Sequence, residues 1–249
     1  MDTARIAELL EPFLREPVDL PGPPEPARAN AAPAVLSPVQ LKYISTYIDI
    51  LVRWNARINL TAIRDPEDIV TRHFGESLFA ARHLFPAGGA ASGRAALQGS
   101  INGQEGMGPS SPEGPTVADI GSGAGFPGLP LKLWSPDISL TLIESNHKKA
   151  AFLREVARAL TLTDVNIQNT RAETLTGTVF NTVTLRAVER FDAILPTAAG
   201  LVAPSGRLAV LISSAQQDQA CLTLPDLTWS SPAPIPHSRS RILLIGCKQ

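Results

Sequence analysis

The sequence predicts an α/β protein whose mainly parallel, seven-stranded sheet follows an N-terminal helical subdomain. From residue 116 onward, short apolar strand segments alternate with helical patterns of about 10 to 15 residues, which is typical of a parallel sheet with helices on both faces. The first of these strands runs directly into the glycine-rich segment 121–128. We therefore divide the chain into a helical subdomain at 1–86, an insertion at 87–115 and a core domain at 116–249.

The bulk composition limits the functions that the chain can have. Its 249 residues, 44% of them hydrophobic, can bury a hydrophobic core without disulfide bonds or structural metal ions. Its two cysteines fit neither a disulfide framework nor a zinc site. We find no signal peptide and no apolar run of roughly 20 residues, and expect a cytoplasmic monomer that uses no metal and no membrane. Because the net charge is −1, a role on RNA would need a local basic patch.

Capping signals predict the helices of the N-terminal part. A short helix is expected near residues 3–14, before a segment rich in proline and alanine at 17–36 that we interpret as a linker. Ser37 is a good N-cap residue with Gln40 in the capping-box position, and apolar residues then recur at helical spacing. Asp65, followed by proline and two acids, predicts the start of a second helix.

The segment 87–115 has a different composition from the rest of the chain. Gly, Ser, Ala, Pro and Gln dominate it, and large apolar residues are nearly absent. Such a segment buries too little surface to offset its ordering entropy, so we predict a flexible loop between the helical subdomain and the core.

The core domain alternates strands with helices. Its predicted helices start near residues 129, 147 and 187. Two apolar segments near the end of the chain could form a closing hairpin that completes the seven strands. The predicted strands are 117–120, 140–143, 165–168, 180–185, 207–212 (entered by a turn at 204–206), 227–230 and 242–245.

The glycine turn after the first strand predicts a nucleotide-like ligand. Glycine allows positive φ and lets a ligand approach the main chain, and open α/β sheets bind ligands at this edge. The dinucleotide pattern fits only from Gly123 to Gly128, whereas a pattern started at Gly121 meets Phe126 at its last position. The spacing Gly121, Gly123, Gly125 is more typical of S-adenosylmethionine sites. An NAD-dependent oxidoreductase remains the alternative, and a purely structural turn is a third.

Polar residues after the next strands are further candidates for this site. Glu144 follows the second strand and could accept hydrogen bonds from two ribose hydroxyls, or cap the helix at 147. Glu173 could accept from an adenine amine, or be a solvated loop acid. Arg186 follows the fourth strand and could pair with a ligand carboxylate or a phosphate, or form a structural ion pair with Glu189.

A group of cations in the helical subdomain is a candidate RNA-binding patch. Acids lie among them in the sequence, so a mixed solvated surface is the alternative, and a histidine here could equally serve an internal interface. The candidates are Arg53, Arg57, Arg64, Arg72 and His73.

These motifs, in this order, resemble the family of ribosomal RNA small subunit methyltransferase G, also called glucose-inhibited division protein B. The resemblance covers about residues 38–86 and 116–212. The motifs that carry it are Trp54-Asn55 with Asn59-Leu60-Thr61, His73 with Glu76-Ser77-Leu78, the run Asp119 to Gly128, Lys148-Lys149 with Phe152-Leu153, Arg171-Ala172-Glu173 and Arg186-Ala187.

The resemblance implies a Rossmann-like, S-adenosylmethionine-dependent methyltransferase fold and N7 methylation of one guanine in 16S ribosomal RNA. It implies that the cofactor is S-adenosylmethionine and that the partner is 16S ribosomal RNA or the small ribosomal subunit. The open backbone of a glycine turn and the acid after the second strand add Gly123 and Glu144 to the cofactor site. The cofactor contacts that the resemblance implies are Gly121, Phe126, Ala172, Glu173 and Arg186.

The chain departs from the family pattern in three places. Glu76 stands where the family usually has Asp, and the segment 87–115 is an unusual insertion. Ser213 and Ser214 follow the fifth strand, where the family tends to carry Lys-Gly. If that lysine contacts RNA, we expect weaker phosphate binding here, and a cofactor-binding protein without methyl transfer is a second alternative.

No catalytic base is identified, and the implied reaction needs none, because guanine N7 has a free lone pair and no proton to remove. Catalysis would then consist mainly of holding N7 in line with the methyl group. The target base must be accessible or flipped, and could stack on Trp54, Phe74, Phe126 or Arg186.

Overall fold

A computed structural model of the chain describes residues 1–15, 35–86, 114–187 and 190–249. The predicted linker at 17–36 lies outside the described residues except for its last two positions, and the predicted insertion at 87–115 except for Gly114 and Pro115. The expectations about those two segments therefore remain predictions.

The N-terminal part is helical, as the capping signals predict. The Ser37 side chain accepts a hydrogen bond from the Gln40 backbone N–H, and the Gln40 side chain accepts one from the Ser37 N–H, which completes the capping box. Asp65 caps the next helix by accepting from two backbone N–H groups. The helices are α1 (Thr3–Arg15), α2 (Pro38–Asn55), α3 (Pro66–Asp68) and α4 (Glu76–Leu84).

A π-helical segment, Ile69–Gly75, connects α3 to α4 without a break. Seven residues of π-helix are unusual, because this geometry normally occurs as single turns and often at functional sites. The sequence pattern gives no sign of it, since it predicts one ordinary helix from Asp65 onward.

The core domain is one sheet with the spatial order β3-β2-β1-β4-β5-β8-β6. Strands β1 to β5 are parallel to one another, whereas β8 is antiparallel to both β5 and β6. The seven predicted strands are all present, and a two-residue β7 pairs with β8 as an eighth. The strands are β1 (Thr116–Ile120), β2 (Ser139–Ile143), β3 (Val165–Gln168), β4 (Phe180–Arg186), β5 (Val202–Ser213), β6 (Leu227–Trp229), β7 (Ala233–Pro234) and β8 (Arg241–Lys248).

Two predicted boundaries are wrong. The helix expected from residue 187 begins only at Phe191, and the residues on either side of this loop, Ala187 and Arg190, both have positive φ. The turn expected at 204–206 lies inside β5, where extra residues shift the register between β4 and β5. The remaining helices are α5 (Gly128–Trp134), α6 (His147–Ala159), α7 (Phe191–Gly200) and α8 (Gln217–Thr223).

The helical subdomain shares its core with the sheet. Alternate strand residues point to opposite faces, so that Leu142 faces the same apolar cluster as α1, α2, α4, α5 and α6, whereas Ile143 faces the cluster with α7 and α8. Burial of Tyr47 and Phe74 beside Leu142 joins the two parts of the chain. None of the helices in the described ranges has the length and hydropathy of a bilayer-spanning segment.

Candidate functional site

The chain turns sharply where β1 ends. The backbone angle φ is +66° at Gly121, +56° at Gly123 and +84° at Gly125, a region that residues with a Cβ rarely adopt. The backbone N–H groups of Gly121 and Ser122 donate to the Ile143 carbonyl at 2.9 and 3.2 Å. These bonds fix the turn to the end of β2, at the edge of the sheet where the parallel strands have their carboxyl ends, which we call the carboxyl edge.

The glycines of this turn have different surroundings. A Cβ added at Gly125 would lie 2.3 Å from the Tyr47 hydroxyl oxygen, and one at Gly128 would lie 2.5 Å from Leu142 Cδ2. At Gly123 the nearest atom to an added Cβ is the Gly121 carbonyl oxygen, 3.7 Å away. Gly125 and Gly128 therefore allow close packing, whereas Gly123 faces open space in which a ligand could approach the main chain.

Asp119 supports the turn from beneath. Its side chain is fully buried, the Thr184 hydroxyl donates to Oδ1 at 2.9 Å, and the Gly128 N–H donates to Oδ2 at 3.2 Å. Burial raises the pKa of Asp119 to about 7, although the hydrogen bonds from Thr184 and Gly128 oppose that rise. This carboxyl group connects β1, β4 and the start of α5.

Glu144 lies beside the open glycine. Its buried carboxylate accepts the Gly123 N–H at Oε2 (2.9 Å) and the Asn146 N–H at Oε1 (2.7 Å). The cap of α6 is Asn146, whose side chain accepts from the Lys148 and Lys149 N–H groups, so Glu144 is not needed in that role. Each carboxylate oxygen retains capacity for a further hydrogen bond, which leaves both free to accept from a pair of hydroxyls.

The segment after β3 lies at the same edge. The Asn169 side chain donates to the Glu144 carbonyl oxygen at 2.8 Å and so ties this segment to the end of β2. Ala172 is buried and Glu173 is exposed, in a single turn of 3₁₀-helix at Ala172–Thr174. An exposed acid here is available to a ligand that extends across the edge from Glu144.

Arg186, at the end of β4, is largely committed to protein partners. Its side chain is 9% exposed, and its Nε and Nη2 donate to Glu76 Oε2 at 3.2 and 2.9 Å. Nη2 also donates to the Arg72 carbonyl oxygen at 2.6 Å, and Nη1 to His73 Nδ1 at 3.0 Å. Its ion-pair partner among the described residues is Glu76, whereas Glu189, the partner suggested by the sequence, lies outside them. One N–H of Nη1 remains for a ligand.

His73 is a neutral, buried ring. A guanidinium can only donate, so Nδ1 accepts from Arg186, and Nε2 carries the proton that it donates to Thr61 Oγ1 at 2.8 Å. Burial lowers the pKa of His73 to about 3, with nearby arginines, Arg186 first, adding to the effect. With 8% of its surface exposed, His73 has little area for the RNA contact that the sequence suggests.

Phe126 lies between two parallel rings. Its ring centroid is 5.4 Å from that of Tyr47 and 4.7 Å from that of His73, with interplanar angles of 6° and 15°. The Tyr47 hydroxyl donates to the Ala124 carbonyl oxygen of the turn at 2.5 Å. Both faces of Phe126 are covered and Phe74 is fully buried, so the suggestion that these two rings stack on a target base is wrong. A ligand would meet Phe126 through its main chain or ring edge.

The other predicted RNA-binding cations lie at the end of α2 and in the loop after it. Arg53 pairs with Glu155 at 2.5 Å, and the Arg64 guanidinium donates to the Asn55 carbonyl oxygen at 3.1 Å. Arg57 is exposed and makes no ion pair within the described part of the chain. Of the five candidates, Arg72 and His73 contact Arg186.

Two residues that organise this site, Tyr47 and Arg241, have no signal in the sequence, and Glu76 is part of a sequence motif but is not predicted as the partner of Arg186. Glu76 Oε2 lies within 3.0 Å of Arg241 Nε as well as accepting from Arg186, although the Arg241 Nε–H is not aligned for a hydrogen bond. Glu76 is buried in α4 among mostly apolar side chains, where charges are kept only with partners.

The strand order, together with the glycine turn beside Glu144, places the protein in the class of Rossmann-like methyltransferases. The family model described as rRNA small subunit methyltransferase G matches residues 40–88 and 98–229. The chain belongs to that family, which confirms the resemblance drawn from its motifs.

Two relatives illustrate the extent of the match. A ribosomal RNA small subunit methyltransferase G of Halorhodospira halophila is 35% identical over 212 residues, covering 84% of this chain and 88% of that protein. One of Xylella fastidiosa is 34% identical over 180 residues, covering 72% of each. A solved SAM-dependent methyltransferase from Aquifex aeolicus superimposes with a TM-score of 0.47 and 15% identity over 55% of this chain and 84% of that one.

Proposed function

We propose that this protein transfers the methyl group of S-adenosylmethionine to N7 of a guanine in 16S ribosomal RNA. We take the small-subunit ribosomal RNA from the names of its relatives, the N7 atom of guanine from the family resemblance, and the cofactor from the residues of its own site. We further propose that it acts as a monomer in the cytoplasm, on the RNA or on the small ribosomal subunit.

The observation that carries the proposal is the open space at Gly123 next to the Glu144 carboxylate. The fit to a nucleoside can be judged from these residues alone: an added Cβ at Gly123 would meet no atom closer than 3.7 Å. Glu144 is held by two backbone N–H groups and keeps acceptor capacity for two ribose hydroxyls. We propose that Ala172 and Glu173 contact the base, and that the main chain of Gly121 and Phe126 contacts the same ligand.

Bound S-adenosylmethionine would supply an electrophilic methyl group: the N7 lone pair would form a bond to the methyl carbon as the C–S bond breaks, and the sulfur would leave with the electrons of that bond. No proton leaves N7, so the protein needs no general base. The task of the chain is to hold two ligands in line. This proximity and orientation lower the barrier of the methyl transfer. Residues of the turn and Glu144 hold one ligand. Arg186, with one N–H left, is placed to contact the other or a carboxylate.

The cofactor assignment is tested by calorimetric titration of the purified protein with S-adenosylmethionine and, separately, with NAD. We expect micromolar binding of S-adenosylmethionine and no response to NAD. Binding of NAD alone would mean that the glycine turn holds a dinucleotide and would remove the methyltransferase proposal.

The substrate assignment is tested with small ribosomal subunits, and with free 16S RNA, from cells that lack this protein. N7-methylguanine is detected by chain cleavage after borohydride reduction and aniline treatment, read by primer extension. We expect one new cleavage site that depends on S-adenosylmethionine. Cofactor binding without any methylated site on either substrate would favour a binding protein of the same fold, the alternative that Ser213 and Ser214 suggest.

A further inference from the structure

A polar cleft of about 560 Å³ opens next to the end of β5. One wall is the π-helical segment with Arg72 and the start of α4 with Glu76. The opposite wall is the loop 236–240 together with Arg241, the first residue of β8. Ser213 closes the cleft on the side of the sheet. None of the residues considered so far as cofactor contacts lines this space.

The cleft carries uncompensated positive charge. The single carboxylate of Glu76 is shared by two guanidiniums, those of Arg186 and Arg241. Arg72 and Arg239 line the same cleft, both are exposed, and neither has an ion-pair partner within the described ranges. Among the described residues that line the cleft, Asp68 is the only other acid. Three arginines and two carboxylates thus line the cleft, and one of these carboxylates, that of Glu76, is also shared with Arg186.

We propose that this cleft binds phosphate groups of the substrate RNA, with Arg72 and Arg239 as the contacting cations. The inference rests on the proposed function and names its RNA-binding surface. Arginine presents a planar fork of donors that matches phosphate oxygens, and most protein–nucleic acid hydrogen bonds go to the backbone. The end of β5 and the residues after it, 213–220, contain no lysine or arginine, so Arg239 and Arg72 supply the charge at this strand end.

The cleft is placed to orient RNA toward the methyl donor. Strands β1, β4 and β5 are parallel neighbours, so the glycine turn, Arg186 and Ser213 all lie at the carboxyl edge. Two strand spacings separate β1 from β5, which is about 10 Å. A backbone held in the cleft therefore lies at the same edge of the sheet as the Gly123 site.

The wall that carries Arg239 is fixed in place before RNA arrives. Glu76 holds Arg241 at 3.0 Å, and the His237 ring contacts the Phe13 ring of α1 with centroids 5.8 Å apart. The Ser238 hydroxyl accepts a hydrogen bond from the backbone N–H of Arg241 at 3.1 Å. Less ordering is then required when phosphate binds, which favours affinity.

The test uses Arg239→Glu, Arg72→Glu and the double variant in the full chain. Arg158→Glu is the matched control, because Arg158 is exposed in the last turn of α6, at the opposite edge of the sheet. Affinity for small subunits and for free 16S RNA from cells lacking the protein is measured over a series of salt concentrations. Thermal melting and the dissociation constant for S-adenosylmethionine are measured in parallel.

We expect each cleft reversal to weaken RNA binding about tenfold and to reduce the slope of log affinity against log salt by about 1. The double variant should lose both contacts, while melting and cofactor affinity stay at wild-type values and the control binds RNA normally. Unchanged RNA affinity in the double variant, or an equal loss in the control, overturns the inference while wild-type methylation stands. Failure of the wild-type protein to methylate either substrate would instead remove the proposed function.

Discussion

The imidazole of His73 stacks on the ring of Phe126, with centroids 4.7 Å apart and planes 15° from parallel. His73 belongs to the helical subdomain and Phe126 to the glycine turn. The same imidazole accepts from Arg186, so one side chain contacts the turn after β1 and the end of β4. The helical subdomain therefore shapes the candidate site, although it contributes none of the predicted cofactor contacts.

The two central glycines of the turn are expected to respond differently to alanine. Gly123→Ala places its methyl group in open space at φ +56°, so we expect a stability loss of only about 1 to 2 kcal/mol but at least a roughly tenfold weaker S-adenosylmethionine affinity. Gly125→Ala brings a methyl group within 2.3 Å of the Tyr47 hydroxyl, so we expect a stability loss of about 3 kcal/mol or more.

Denaturant unfolding and calorimetric titration check this pair. If Gly123→Ala binds the cofactor as well as wild type, the open space is not the cofactor site. Equal stability losses in the two variants would contradict the packing difference between them.

The Glu144 carboxylate can be tested with an isosteric amide. In Glu144→Gln one acceptor oxygen becomes a donor that faces a backbone N–H, so we expect the dissociation constant for S-adenosylmethionine to rise roughly 10- to 100-fold. Glu11→Gln, the same change at the α1 surface, is the control. A wild-type dissociation constant in Glu144→Gln would show that Glu144 does not contact the ribose.

His73 should make stability fall on mild acidification. Its pKa in the folded protein, about 3, is below the ordinary value of 6.5, so the unfolded chain takes up the proton first and stability is lost as pH falls below about 6.5. Between about pH 7 and about pH 5 this amounts to about 2 kcal/mol. The variant His73→Asn keeps an acceptor for Arg186, and we expect this loss of stability to disappear from its unfolding curves measured at the two pH values. If the dependence of its stability on pH equals that of the wild type, the ring of His73 is not neutral and buried.

Asp119 should act in the opposite direction over the same range. Its pKa in the folded protein, about 7, lies above the ordinary 3.8, so its contribution to stability is present below about pH 4 and is lost as pH rises toward 7. Asp119→Asn should abolish this loss of about 2 kcal/mol between about pH 5 and about pH 7. The expected result is a stability that rises more steeply with pH than in wild type, because the contribution of His73 is then unopposed. A curve parallel to wild type would show that Asp119 is ionised throughout.

The exposed Arg57 is expected to contribute to RNA binding on its own. Arg57→Glu, with or without Arg64→Glu, should weaken RNA binding and flatten its salt dependence, with the Arg158→Glu protein for comparison. Arg64 also donates to the Asn55 carbonyl oxygen, so its reversal is interpreted only where thermal melting is unchanged. Unchanged salt slopes in Arg57→Glu would remove this residue from the binding surface.

The features that could be predicted from the sequence are local in the chain. A buried strand, the glycines that follow it and Glu144 after the next strand are each recognisable within a few residues, and parallel topology brings them to one edge. The capping boxes and the closing hairpin are local signals of the same kind. The division into subdomains at residue 86 stays a prediction.

The partners of Arg186 could not be predicted, because Glu76 lies 110 residues away in the chain. Nothing in the local pattern around either residue specifies the other, and only the packing of α4 on the sheet brings them together. The register shift in β5 and the late start of α7 at Phe191 depend likewise on neighbouring strands. These are tertiary effects that override local propensity.

The π-helical segment requires a fixed number of residues in this part of the chain. A π-helix closes each hydrogen-bonded ring with one residue more than an α-helix, and one residue corresponds to about 100° of rotation. Deleting a single residue from Ile69–Gly75 would restore α-helical hydrogen bonds and remove the wide turn that carries Arg72 and His73. The carbonyl that holds Arg186 would then point elsewhere, so the segment should tolerate substitutions more readily than any change in the number of its residues.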